Sequence, residues 1–132
     1  MRGRRVVAAV LGAMAMALAG SGVAAAKSPL TGTWAARAGA VSWRVTFTAD
    51  NAYVARATGV IRGTPMTFLA GAGRIAFSGD RVTFRDRRGC SGAQAVAVYT
   101  WSRQPGTLRF TPVREHCVNR RAVLTAVLRL VR

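Results

Sequence analysis

From Val41 to Thr48 apolar and polar residues alternate without a break: Val41, Trp43, Val45 and Phe47 face one way, Ser42, Arg44, Thr46 and Thr48 the other. A period of two over this length is that of a β-strand with one buried face. Ala49-Asp50-Asn51-Ala52 supplies a turn, and Tyr53 to Val60 returns with β-branched and small residues. Arg62-Gly63-Thr64-Pro65 is a second turn, leading into Met66 to Leu69. Gly71-Ala72-Gly73 then breaks the apolar run before Arg74 to Phe77. After Ser78-Gly79-Asp80, Arg81 to Arg85 sets Val82 and Phe84 on one face. Connections this short make hairpins rather than crossovers.

Farther on, Gln94 to Ser102 and Thr107 to Pro112 form another hairpin across Arg103-Gln104-Pro105-Gly106, with Ala97, Tyr99 and Trp101 sharing a face on its first strand. Cys90 lies just before it and Cys117 just after. Arg114 to Arg121 is a polar excursion with room for one helical turn. Val123 to Val131 closes the chain, and both a strand and a helix fit it. Val and Thr at alternate positions favour the strand, which would pair with the first and remove open edges. The pattern is all-β, about eight short antiparallel strands with turn signals between them. It predicts a small up-and-down barrel, with a β-sandwich as the alternative.

The first 26 residues are built differently. Arg2, Arg4 and Arg5 precede an apolar run from Val6 to Ala19, and Ala24-Ala25-Ala26 offers small residues for cleavage. This is the form of a secretory signal, with cleavage near Ala26, and it predicts a secreted protein whose residues 27–132 make one domain without a transmembrane segment. The chain has two cysteines, and export would place them in an oxidising compartment. Because an antiparallel pair brings its flanks together, Cys90 and Cys117 are expected to form a disulfide across the open end of the hairpin. A closed loop of this length is worth about 3.5 kcal/mol in the chain-entropy account.

Two stretches carry a family resemblance. Thr31-Gly32-Thr33-Trp34 resembles the Gly-x-Trp signature on the first strand of lipocalins and other calycin barrels. Tyr99-Thr100-Trp101, Gly106 to Val113, Cys117-Val118-Asn119-Arg120 and Leu124-Thr125 resemble small exported bacterial lipocalin-like proteins of actinobacterial type. Those carry Gly-x-Tyr-x-Trp, a Leu-x-Phe strand and Asp-x-Cys-x-x-Arg. Here Ala97 stands for the glycine and Glu115 for the aspartate. The resemblance implies a barrel whose closed end is plugged by Trp34 beneath an arginine of the last strand, Arg129 or Arg132.

Charge and chemistry narrow the function. Residues 27–132 hold seventeen basic side chains, sixteen of them arginine, against Asp50, Asp80, Asp86 and Glu115. Such an excess attracts polyanions. The arginines are nevertheless scattered, so no specific nucleic-acid site is expected. Aromatic and arginine neighbours such as Trp43-Arg44 and Arg109-Phe110 point to opposite faces of a strand, ring inward and guanidinium outward. One histidine, His116, and four scattered carboxylates supply neither a nucleophile with its base nor a metal or cofactor site. Gly71-Ala72-Gly73 lacks the helix and Lys-Ser/Thr of a phosphate loop. A non-enzymatic protein is therefore expected, and an enzyme would have to use Glu115 or His116.

Two functions stay open. One is a barrel holding a small apolar or amphipathic ligand, with Trp43, Phe47, Tyr53, Phe68, Tyr99, Trp101 and Phe110 either lining a cavity or packing it solid. The other is an interaction or inhibitor protein, acting through loops or arginines on the anionic cell envelope or on another secreted protein.

Overall fold

The structure is a computed structural model and describes residues 28–132; the signal-like segment, its cleavage point and Lys27 lie outside the described residues. Strands β1 (Gly32–Ala38), β2 (Val41–Phe47), β3 (Ala52–Ile61), β4 (Thr64–Ser78), β5 (Arg81–Arg88), β6 (Val96–Gln104), β7 (Thr107–Arg114) and β8 (Leu128–Leu130) follow one another in the chain. Each pairs antiparallel with the next, and β8 pairs back onto β1. This is a closed eight-stranded up-and-down barrel with one disulfide, Cys90–Cys117.

The alternation expected along β2 sets its burial: Val45 and Phe47 lie inside and Arg44 outside. The inward side chains of β1 to β8 meet in one core, in which Phe84 is the hub. Its ring lies 5.3–6.3 Å from those of Phe47, Tyr53, Tyr99 and Phe110, each tilted edge to face. Edge-to-face packing sets the positive rim of one ring against the negative face of another, so these rings interlock beyond their area burial.

Two expectations are corrected. Gly71-Ala72-Gly73 does not end a strand, since β4 runs unbroken for 15 residues from Thr64 to Ser78. The glycines mark a register shift, between Ala72 and Gly73, in its pairing with β5. A Cβ on Gly73 would sit 2.0 Å from the Arg85 carbonyl oxygen, so only glycine lets the two backbones meet there.

Nor does a strand occupy all of Val123 to Val131. Helix α1 (Val118–Leu124) comes first, and β8 is only three residues long. The apolar residues Val123 and Leu124 are buried by the helix instead. β8 pairs with the beginnings of β1 and β7, and α1 packs against those same two strands. The helix thus fills the seam that a longer last strand would have closed with hydrogen bonds.

The up-and-down order gives the barrel two ends. The β2–β3, β4–β5 and β6–β7 turns lie at one, with the start of β1. At the other lie the β1–β2 and β3–β4 turns, the β5–β6 connection and the β7–α1 junction.

Candidate functional site

At the first end the barrel is shut. Leu30 and Trp34 are fully buried, and Trp34 Nε1 donates to the Leu30 carbonyl at 2.9 Å. The Leu30 amide in turn donates to Ser28 Oγ at 3.1 Å, which pins the incoming chain across the opening. A guanidinium does cover Trp34, but it is that of Arg103, 5.2 Å from the ring centre and hydrogen-bonded to the Pro29 carbonyl. Arg129, expected in that place, sits between inward-facing Leu128 and Leu130 and so points out to solvent; Arg132 is exposed as well. The β6–β7 turn brings Arg103 over the closed end, which strand order alone did not reveal.

The opposite end is open. A cavity of about 540 Å³ enters the barrel there. One wall is apolar, from Val41, Trp43 and Val45 on β2, Tyr53 and Ala55 on β3, and Phe68 to Gly71 on β4. Val123 and Leu124 of α1 form part of the facing wall, with the Cys90–Cys117 disulfide, Asp86, Gln94, Asn119 and Arg120.

Of the side chains expected to line or fill the interior, Trp43, Tyr53 and Phe68 border the cavity. Phe47, Tyr99 and Phe110 belong to the solid cluster around Phe84, in which Tyr53 also takes part. Trp101 packs edge-on against Phe77, 5.8 Å away. Depth along the barrel separates these roles: the half toward Trp34 is packed and the half toward α1 is hollow.

The facing wall is held by a buried ionic knot that centres on Arg120, a residue to which the sequence assigned no role. Its Nε donates to Glu115 Oε2 at 2.7 Å and its Nη2 to Glu115 Oε1 at 2.8 Å. The same guanidinium donates to the Gln94 and Ala95 carbonyls at 2.6 and 3.1 Å. Glu115 accepts further bonds from Tyr99 Oη at 2.5 Å and the Cys117 amide at 2.8 Å. A paired fork of this kind suits arginine's planar geometry. Asp86 Oδ2 accepts from the Cys90 amide at 3.1 Å. Its Oδ1 lies 3.0 Å from Arg120 Nη1 but off the N–H direction, and so has charge contact without a hydrogen bond.

The knot sets the charge states. Burial pushes the Glu115 carboxyl up, but Arg120, Tyr99 and the Cys117 amide outweigh it and hold the group below its ordinary value. For Asp86 burial wins over the Cys90 amide and Arg120, and its carboxyl is raised. Burial, then the Glu115 hydrogen bond, raises the Tyr99 phenol. Burial works against the Arg120 cation, but Glu115 and Asp86 more than restore it.

Two carboxylates read as scattered are thus brought together. Asp86 belongs to β5, which runs to Arg88 rather than ending at Arg85 as its alternation suggested, and Glu115 follows β7. Both Glu115 oxygens are fully engaged, leaving that carboxylate no free lone pair aimed at a substrate. His116 is exposed on a shallow outer groove beside Arg81, Arg114 and Arg121. No group of three or more histidine, cysteine or acidic side chains able to hold a metal occurs among the described residues. What signal the sequence held for the knot was the spacing Glu115-x-Cys117-x-x-Arg120, which puts an acid and a base on either side of a cystine. Compared with protein-family models, curated proteins and solved structures, the chain matches none.

Proposed function

We propose that this protein is an exported binder of one small, neutral amphipathic molecule, held at the open end of the barrel. The observation that carries the reading is the cavity itself. Its volume of about 540 Å³ falls within the roughly 300–1,000 Å³ of small-molecule sites, and its wall is apolar with few polar groups. The lipocalin-like resemblance and the signal-like first 26 residues support the same reading.

The polar groups narrow the chemistry. Tyr53 borders the cavity and its buried hydroxyl has no hydrogen-bond partner among the described residues, while Asp86 Oδ1 has a charge contact with Arg120 but no hydrogen bond. Burying a polar atom unpaired costs about 1–3 kcal/mol, so a ligand bringing a hydroxyl or amide to these atoms gains more than an alkane would. Among the described residues Arg120 is the sole cation in the cavity wall, and it is committed to Glu115 and Asp86. A ligand carboxylate would find no free counter-charge there. Long-chain alcohols and amides are therefore favoured over the corresponding acids.

Displacement of the apolar reporter N-phenylnaphthylamine tests this. The protein binds the dye, an alcohol displaces it at lower concentration than the matching acid, and Ala55→Leu, which fills the cavity, abolishes binding while the fold is kept. A folded protein that takes up neither dye nor alcohol would exclude the reading.

A further inference from the structure

Every large apolar side chain exposed among the described residues lies at the same end of the barrel. Five belong to the β3–β4 hairpin: Val60, Ile61, Met66, Phe68 and Leu69, between 41% and 68% exposed. The other two are Val113, near the end of β7, and Val118, which opens α1 at 80% exposure. The hairpin is closed by Arg62 and Gly63, both at positive φ (53° and 80°), the tight turn that suits a twisted ribbon. Gly59 pairs with Met66 and Ala57 with Phe68, so Ile61, Met66 and Phe68 share the side that Ala57 buries in the barrel, while Val60 is on the other. The tip is apolar on both sides.

The exposed acids are divided between the ends, whereas exposed arginines occur at both, with Arg74, Arg81, Arg103, Arg109, Arg129 and Arg132 toward the closed one. Arg37, Arg62, Arg87, Arg88, Arg114 and Arg121 are exposed around the open end. The two carboxylates near it, Asp86 and Glu115, are turned inward onto Arg120. The exposed acids Asp50 and Asp80 lie in turns at the closed end. The open end is thus apolar at its tip, cationic around it and free of exposed negative charge among the described residues.

We propose that this end docks on an anionic lipid bilayer, with the β3–β4 tip entering the headgroup layer and the surrounding arginines resting on lipid phosphates. A flat protein surface would cover only one side of the ribbon, whereas a bilayer surrounds both. Apolar burial and attraction to anionic headgroups act together in interfacial binding, and each arginine near the surface adds to the second. The docking face rests on these side chains and not on what the cavity holds, although it would turn the cavity mouth toward the membrane.

Co-sedimentation of the secreted protein with phosphatidylcholine vesicles, with and without phosphatidylglycerol, tests the proposal. Binding is expected to the anionic vesicles, to weaken with salt, and to fall at least about tenfold in V60S/I61S/M66S. None of those three side chains borders the cavity, and near-ultraviolet circular dichroism reports that the variant is folded, so this test is separate from the ligand reading. Three results would overturn the proposal: no binding to anionic vesicles, binding unchanged in the triple variant, or a dimer in sedimentation equilibrium that the triple variant dissolves. The last would assign the tip to a second copy of the chain.

Discussion

The two ends of this barrel grow from the same alternating strands and solve opposite problems. At the closed end the incoming chain lies across the opening, Trp34 hydrogen-bonds to Leu30, and Arg103 covers the indole. Trp34 and Leu30 find their hydrogen-bond partners within four residues, and Arg103 reaches Trp34 and Pro29 from beside the β6–β7 turn. At the open end the last strand is replaced by α1, and a helix laid along a seam fills it without supplying the ladder of hydrogen bonds that a strand would. The disulfide and the Arg120 knot take over that task, tying the β7–α1 segment to the β5–β6 connection. The difference teaches that closure by packing leaves no room, whereas closure by a few strong fasteners leaves a cavity beside them.

That contrast can be broken most severely at the closed end. Trp34→Ala should cost about 3–5 kcal/mol in urea unfolding, since a fully buried indole leaves a cavity that its surroundings cannot fill. Dye binding at the far end should persist in whatever fraction stays folded. A cost below about 1 kcal/mol would show the closed end to be less tightly packed than its burial implies.

Removing the covalent fastener comes next. Cys90→Ser with Cys117→Ser should lower stability by about 3.5 kcal/mol, with the closed end's Trp34 environment, read by near-ultraviolet circular dichroism, kept in the folded protein. The ionic fastener is weaker and depends on pH. Glu115→Gln should cost about 1.5–3 kcal/mol at neutral pH, because Arg120 loses its charged partner.

The pH dependence has a definite sign. Glu115 is held below its ordinary 4.5, so its contribution is complete above that value and is lost as pH falls through the depressed one. Asp86, raised above 3.8, acts oppositely: its contribution is complete below 3.8 and is lost as pH rises through the raised value. On acidification the melting temperature should therefore fall less steeply in E115Q than in the wild type, while D86N should remove the opposing trend. The smallest effect is expected at the exposed tip, where V60S should change stability by no more than about 0.5 kcal/mol. A larger loss would mean that the tip is needed for the fold rather than for contact with a surface.

Much of the architecture was legible in the alternation. Val45 and Phe47 inside with Arg44 outside follows from period two alone, and the hairpin between Cys90 and Cys117 placed the cystine. The glycines of β4 misled because a bulge and a break look alike in sequence. They differ only in whether a neighbouring strand, here at the Arg85 carbonyl, comes close enough to require the missing Cβ. The end of the chain was ambiguous because Val123 to Val131 satisfies both periods; the β7–β1 seam, absent from any local window, decided for a helix as far as Leu124 and left the expected strand only Leu128–Leu130. The role of Arg120 escaped notice because an arginine among so many looks like surface charge until its partners arrive from β5, the β7–α1 junction and the β5–β6 connection.

By itself, then, the chain determined what is local: which residues alternate, where the turns fall and which flanks the cysteines can join. Tertiary structure alone decided which aromatics pack and which border a cavity, which arginine covers Trp34, and that the exposed apolar side chains and exposed acids lie at opposite ends. The physical reason is that a strand's pattern records only the side a residue faces. Its depth along the barrel, and the charges brought beside it from distant strands, exist only once the sheet has closed.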